Sequence, residues 1–412
     1  MPARPADSSA RRTGRAGALS GRTFSPTCVP DASSLKNPAP RFLLSDGSDS
    51  LPASFPLSSV AMVESLIPGM DAAPPESSYP LLVIVGPTAA GKSELALALA
   101  ARWGGEIVNY DSMQLYRGFN IGTGKLPLEE RRGIPHHLLD CVEPDQIFTA
   151  GDFAREASRA LASIRQRARL PILAGGTGLY LRALLVGLFE GPGRSEKLRA
   201  RLHDLANLRG REYLHRMLRR LDAQTAAKIE PRDAQKVIRA IEVCVLARQP
   251  FSSMIAGARA GLLGFRAIKI GLNPGKAELD QRINARVESM FAAGLMDEAC
   301  AMFEKRSSAP HEGFRQQGPY SSLGYPQAMA AVRGEISRAE AVRETQAATR
   351  RYAKRQRTWF RREPGVTWFA GFGDDPAIQR DVINWLKGVG FNPSHSKTGA
   401  RIPLPGSSAP AF

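Results

Sequence analysis

Apolar positions show no sustained period over residues 1 to 78, and from there the chain changes to short apolar runs alternating with helical spacing. Leu81–Val85 is an unbroken apolar run that stops at Gly86, the pattern of a strand buried on both faces. Lys92, Leu95 and Leu99 then follow at helical spacing, and Glu106–Asn109 reads as a second short strand. Asp152 is placed to cap a helix running to about Arg167, and Pro171–Ala174 predicts a third strand that meets Gly175 and Gly176. Strands alternating with helices predict an α/β fold with a parallel sheet wrapped on both faces.

From Arg194 to about Gln249 the text is helical and basic. Leu198, Leu202 and Leu205 share one face; Leu214, Met217, Leu218 and Leu221 make the next. Asp233 is the expected cap of a further helix with Val237, Ile241 and Val245 inside. Arg266–Leu272 returns to strand, Glu278 to Phe303 is one long helix or two, and a final helix covers about Arg338 to Arg361. The expected organisation is therefore a first part of the α/β core at 79–193, a helical insertion domain at 194–262, and completion of the core with a basic C-terminal helix at 263–387. Residues 1–78, rich in Ser, Pro, Ala and Arg, cannot bury enough surface to offset their ordering entropy and read as a disordered extension. The Pro-, Ser- and Gly-rich segment 388–412 reads as a disordered tail.

Composition narrows the partners. The 412 residues are 43% hydrophobic, enough for a sizeable core, and carry a formal net charge of +17, which favours a polyanion such as nucleic acid or an anionic membrane surface. No apolar run approaches the roughly 20 residues that span a bilayer, so no membrane-spanning segment is expected. Cys28, Cys141, Cys244 and Cys300 stand apart, with neither metal-ligand spacing nor a disulfide framework, which fits free thiols in a reducing cytoplasm. The Arg-rich, acid-poor start resembles an organellar transit peptide; a disordered tail, or a start at Met62 or Met70, is the preferred reading. His136 and His137, the one histidine pair, lack a third ligand and read as loop packing rather than a metal site.

The chemistry begins at Gly86, Pro87, Thr88, Ala89, Ala90, Gly91, Lys92 and Ser93, which satisfy the P-loop pattern between a strand and a helix. Its glycines let backbone N–H groups converge on phosphate oxygens, the helix start adds its dipole, Lys92 supplies a point charge and the Ser93 hydroxyl can hold Mg²⁺. Asp111 comes just after the second strand, where a side chain points into the ligand crevice of an open α/β sheet. It could act as a general base, hold Mg²⁺ through water, or cap a helix. Thr177, after Gly175 and Gly176, could cap the next helix and offer its hydroxyl to an anion there. No acid closes the third strand, which argues against a water-activating NTPase. Gln235, Lys236 and Arg239 share roughly one face of the insertion helix. Arg350–Arg362 interleaves basic residues with Tyr352, Trp359 and Phe360, which suits phosphate contacts with stacking or packing.

Taken in order, Gly86–Ser93, Asp111–Gly118, Ile121–Lys125, Pro135–Asp140, Gly175–Tyr180, Asp233–Glu242, Leu323–Tyr325 and Ala353–Phe360 resemble the tRNA dimethylallyltransferase family, from about Leu81 to Trp385. The resemblance implies that the P-loop holds the diphosphate of dimethylallyl diphosphate rather than ATP. It implies that Asp111 is general base beside N6 of the target adenine, with Thr177 and the P-loop stabilising the leaving group. The implied target is the adenosine 3′ of the anticodon in tRNAs that read codons starting with U. The implied tRNA contacts are Asp111, Ser112, Met113, Gln114, Thr177, Arg199, Gln235, Lys236, Val237, Ile238, Arg239 and the stretch around Ser321–Pro326. A monomeric enzyme that takes the anticodon stem-loop is expected. Pro326, Tyr110 and Gly124 depart from the family, which often has Lys or Arg, a small residue and Ala at these places. The zinc finger of some eukaryotic relatives has no counterpart.

Elementary chemistry agrees. An allylic diphosphate ionises readily when its leaving group is held electrostatically, and a carboxylate that takes the amine proton helps a poor nucleophile. The base must leave the loop stack to reach a buried site. A small-molecule kinase using the same P-loop, and a non-catalytic RNA-binding protein, are the rival readings.

Overall fold

In the computed structural model, which describes residues 78–189, 191–255, 261–307 and 318–391, the first apolar run is the heart of strand β1 (Tyr79–Val85). Residues 1–77 and 392–412 lie outside the described residues, and with them Cys28, the alternative starts at Met62 and Met70, and nearly all of the expected tail. Leu81, Val83 and Val85 enter the core on one face of the sheet, Leu82 and Ile84 the core on the other. That explains why the run is continuous rather than alternating.

The sheet has six strands in the order β3-β2-β4-β1-β5-β6, every neighbouring pair parallel. The others are β2 (Gly105–Asn109), β3 (His136–His137), β4 (Leu170–Ala174), β5 (Phe265–Leu272) and β6 (Val366–Phe369). Helix α1 (Lys92–Trp103) buries Leu95, Ala96 and Leu99 on the Leu82 face. Helices α2 (Ala150–Gln166) and α3 (Gly178–Leu185) bury Phe153, Leu161, Tyr180 and Leu184 on the opposite face. The connections leaving the adjacent strands β1 and β4 therefore depart to opposite faces, and a crevice opens at their carboxyl ends.

The insertion consists of α4 (Glu196–Arg209), α5 (Arg211–Leu221), α6 (Ala223–Ala226), α7 (Ala234–Ala247) and α8 (Phe251–Ile255) around a core of its own, with Leu202, Leu214, Leu218, Val237, Ile241 and Phe251 buried. Asp233 caps α7 as expected, its carboxylate accepting from the Lys236 amide at 3.2 Å. Leu221 and Val245, expected inside, are 40% and 45% exposed, because each stands at the last turn of its helix where no neighbour covers it.

Completion of the core follows one of the expected alternatives and then adds elements. Glu278 to Phe303 is two helices, α9 (Lys276–Ala292) and α10 (Leu295–Ser307), separated at Gly294, whose φ of 97° only glycine adopts without strain. Helix α11 (Tyr325–Val332) leads to α12 (Arg338–Phe360), opened by a capping box between Ser337 and Glu340. The core is expected to run to residue 387 with no element predicted after α12; β6 and α13 (Pro376–Gly388) fill that stretch and close the Leu82 face with Val382 and Leu386. The start of the expected tail is also packed: Phe391 lies edge-on to Trp103, ring centroids 5.1 Å apart. Likewise, α2 is capped by Thr149 and not by Asp152, which instead returns a carboxylate to the Thr149 amide at 2.9 Å. His136 and His137 form the edge strand β3, with His137 Nε2 2.7 Å from the Glu106 carboxylate.

Candidate active site

The loop after β1 must expose amides towards a ligand and turn sharply into α1. Ala89 (φ 62°) and Gly91 (φ 80°) take the left-handed conformation that a nest of converging amides requires. At Gly91 a Cβ would stand 2.6 Å from an Asp374 carboxylate oxygen and 2.7 Å from the Gly373 amide, so the position accepts no side chain. Asp374 is held in turn by Arg282 through two hydrogen bonds of 2.8 and 2.6 Å. The segment between β6 and α13, unforeseen in the sequence, thus backs the P-loop.

Lys92 folds over the loop and donates to the Pro87 carbonyl at 2.7 Å. Burial lowers its ammonium to about 7; the Asp111 carboxylate opposes that shift and the Arg286 guanidinium adds to it. Ser93 is exposed at the start of α1.

Asp111 is set by Asn109 at the end of β2. The Asn109 side chain accepts from the Asp111 amide at 2.9 Å and donates to the Asp111 and Leu138 carbonyls at 3.1 and 2.8 Å. One carboxylate oxygen of Asp111 accepts from the Met113 amide at 2.9 Å. The chain beyond Asp111 forms a series of turns and not a helix, so the helix-cap reading of Asp111 gives way to an Asx turn that anchors the carboxylate in the crevice. Burial raises its pKa, and the Met113 amide, Lys92 and Arg286 hold it down; the net shift is upward, which makes the carboxylate a stronger base.

Thr177 is at the start of α3, but its hydroxyl does not cap that helix. It accepts from the Ser112 amide at 2.9 Å and pairs with the Ser112 hydroxyl at 3.1 Å, tying the loop after β4 to the loop after β2. Tyr110, the residue before Asp111, is fully buried and donates to the Ile84 carbonyl at 2.6 Å, which ties this loop to the end of β1 as well.

Three further residues enter the crevice that the sequence had not singled out in these roles. Arg286 of α9 lies near enough to Asp111 and Lys92 to shift their ionisation, with Nη2 donating to the Gly124 carbonyl at 3.3 Å; a Cβ at Gly124 would lie 1.7 Å from that nitrogen, so glycine there makes room for the guanidinium. Gln356 of α12 is buried between the P-loop and Gly176. Tyr352, one turn earlier, interacts with Thr177 and Gln356, and burial raises its phenol well above the ordinary value. The other aromatics of the basic run serve packing: Phe360 is fully buried, and the Trp359 indole lies so close to Gly178 that a Cβ there would approach Nε1 to 2.0 Å.

The remaining expected contacts are distributed differently. Met113 packs against the core and Gln114 donates to the Thr123 and Gly124 carbonyls at 3.1 and 3.3 Å, both at the crevice. On the insertion, Gln235 is exposed and Lys236 pairs with Asp233 at 2.9 Å. The side chains of Val237 and Ile238 are buried in the insertion core, Val237 on the face away from Gln235. Arg199 and Arg239 converge on the fully buried Glu242, at 2.9 and 2.7 Å. In the 321–326 stretch Tyr325 is buried, its hydroxyl donating to Glu298 at 2.6 Å, and Pro326 is exposed in the first turn of α11.

Among the described residues no three His, Cys, Asp or Glu side chains form a metal-binding group, and no helix is long and apolar enough to cross a membrane. Fold and crevice together define a P-loop transferase whose phosphate cradle lies beside a half-buried carboxylate. The family model for IPP transferases matches residues 114–363. A tRNA dimethylallyltransferase of Solibacter usitatus is 51% identical over 74% of this chain and 97% of its own length. One of Koribacter versatilis is 50% identical over 75% of this chain and 99% of its own length. The crystal structure of a full-length tRNA isopentenylpyrophosphate transferase of Bacillus halodurans superposes with a TM-score of 0.54 at 34% identity, covering 77% of this chain and 98% of that one. A eukaryotic dimethylallyltransferase acting on tRNA gives 0.63 at 25% identity, covering 81% of this chain and 82% of that one. The chain belongs to the IPP transferase family, the tRNA dimethylallyltransferases, and is a prenyltransferase.

Proposed function

We propose that the protein transfers the dimethylallyl group of dimethylallyl diphosphate to N6 of the adenosine 3′ of the anticodon, in tRNAs that read codons starting with U. The observation that carries this reading is the Asp111 carboxylate in one crevice with Lys92, Arg286 and the P-loop amides. Two cations and converging amides suit a diphosphate, and the one anion among them suits the proton of an attacking amine.

The donor diphosphate lies in the P-loop, with Lys92 released from the Pro87 carbonyl to a phosphate oxygen. Mg²⁺ fits the donors at hand, since it binds few protein oxygens and takes the rest of its shell from phosphate and water; the exposed Ser93 hydroxyl would hold it, and the ion would supply neutralising charge. As the allylic C1–O bond breaks, negative charge grows on the diphosphate, held by Lys92, Arg286 and the amides. The adenine N6 forms the new bond to C1 and Asp111 takes its proton. Thr177 and Ser112, hydrogen-bonded to each other next to Asp111, would serve both the leaving diphosphate and the bound tRNA. The enzyme would act as a monomer in the cytoplasm, gripping the anticodon stem-loop with the basic insertion and α12.

The test is mass spectrometry of tRNA nucleosides after incubation with dimethylallyl diphosphate. An adenosine heavier by one dimethylallyl group, absent without enzyme, is the expected result. Unmodified tRNA together with phosphorylated small molecules would instead establish a kinase.

A further inference from the structure

Gln356 lies 268 residues from Thr88 and 180 from Gly176 in sequence, yet its carboxamide touches both. Its Oε1 accepts from the Thr88 amide at 2.7 Å and its Nε2 donates to the Gly176 carbonyl at 2.9 Å. Thr88 belongs to the loop that cradles the donor. Gly176 precedes Thr177, whose hydroxyl accepts from the Ser112 amide next to Asp111. The residue is 3% exposed, so neither bond is replaced by water without cost.

The surroundings are shaped for this contact. A Cβ at Gly176 would stand 2.5 Å from Gln356 Nε2 and 3.1 Å from Asp111 Oδ2, so the missing side chain lets carboxamide and carboxylate approach the same backbone. Tyr352 lies one turn earlier on the same face of α12 and interacts with Gln356 and Thr177. A carboxamide is the side chain that offers an acceptor to one backbone group and a donor to the other. A carboxylate would keep the Thr88 bond and repel the Gly176 carbonyl; a thioether of similar length would make neither.

We propose that Gln356 is a positioning residue that sets the distance between the two halves of the reaction, holding the diphosphate loop and the acceptor loop in one register. Group transfer needs the allylic C1 and the attacking N6 within near-attack distance, and an error of about 1 Å can cost about 100-fold in rate. Strands β1 and β4 are paired through Leu82, Val83 and Ile84, but the loops beyond their carboxyl ends have left the ladder. Gln356 restores a hydrogen-bonded link between them where the sheet no longer supplies one.

The inference rests on the prenyl-transfer reading, whose failure would appear in the unsubstituted enzyme; the test compares variants with that enzyme. Gln356→Met and Gln356→Glu are made in the full chain, with thermal unfolding as a check of folding. Single-turnover transfer is measured at saturating dimethylallyl diphosphate and tRNA, together with the affinity for each. In the Met variant the saturated rate should fall about 10- to 100-fold while both affinities stay within about threefold. The Glu variant, which keeps the Thr88 contact, should retain donor affinity and still lose rate. Saturated rates within about twofold of the parent in either folded variant would overturn the proposal. So would a loss that saturation with donor restores, since Gln356 would then serve only the P-loop. Should the Met variant fail to fold, the Glu variant decides by the same criteria.

Discussion

Raising the pH from about 6 to about 8 should weaken binding of dimethylallyl diphosphate to the free enzyme through one group, Lys92. Its ammonium is pushed down to about 7 by burial, so it is charged at the lower pH and largely neutral at the higher. The bound diphosphate is an opposite charge in direct contact and returns the proton. Binding should then take up about 0.9 proton at pH 8 and about 0.1 at pH 6, and the Lys92 contribution to affinity should fall about tenfold, or about 1.4 kcal/mol. Folding stability responds to the same group in the opposite direction: an unfolded lysine keeps its proton to near 10.5, so Lys92 costs stability below about 7 and the cost is relieved as pH climbs towards 10.5. Titration calorimetry in buffers of different ionisation enthalpy reads the proton uptake directly. The donor's own phosphate ionisation is removed by comparison with Lys92→Arg, whose guanidinium stays charged throughout. Equal proton uptake in the parent and the Arg variant at pH 8 would refute the argument and place Lys92 in a wetter setting than the crevice provides.

Asp111→Asn keeps the size and the Met113 hydrogen bond but removes the base; single-turnover transfer should fall about 10² to 10⁴-fold with tRNA affinity changed far less, and a near-parental rate would remove Asp111 from the mechanism. Glu242→Gln should destabilise the protein by about 3 kcal/mol in denaturant unfolding, because it weakens the pairing of Arg199 and Arg239; the figure is at the low end because these arginine side chains keep 22% and 24% exposure. The same carboxylate is held below its usual 4.5 by hydrogen bonds from both arginines against the opposing effect of burial. Its contribution is therefore present above that pH and lost as pH falls through the lowered value, a loss that a Gln variant should not show. A chain beginning at Met70 should keep full transfer activity, since residues 1–69 precede β1 and carry no core pattern; a large loss with unchanged circular dichroism would count against this.

The sequence by itself determined the ends of the central strands and the chemistry anchored to them. Buried parallel strands must be continuously apolar, phosphate-binding turns must be glycine-rich, and both constraints act over a few neighbouring residues, so Leu81–Ser93, Asp111 and Gly175–Thr177 are legible in one dimension. Helix existence in the insertion was legible for the same reason, through periodicity. Only the tertiary structure decided what those segments meet. Arg286 and Gln356 sit on helices where an arginine or glutamine within a polar stretch has the same appearance as a solvated face; nothing local distinguishes them until α9 and α12 are packed over the sheet. Val237 and Ile238, among the implied tRNA contacts, turn their side chains into the insertion core, because a short run on a helix contains both faces. Strands β3 and β6, of two and four residues, carry too little pattern to announce themselves, and they exist because the neighbouring strand offers an unpaired edge. Asp111 illustrates the division: its position at a strand end was set by local sequence, whereas its raised pKa comes from burial by chain segments distant in sequence.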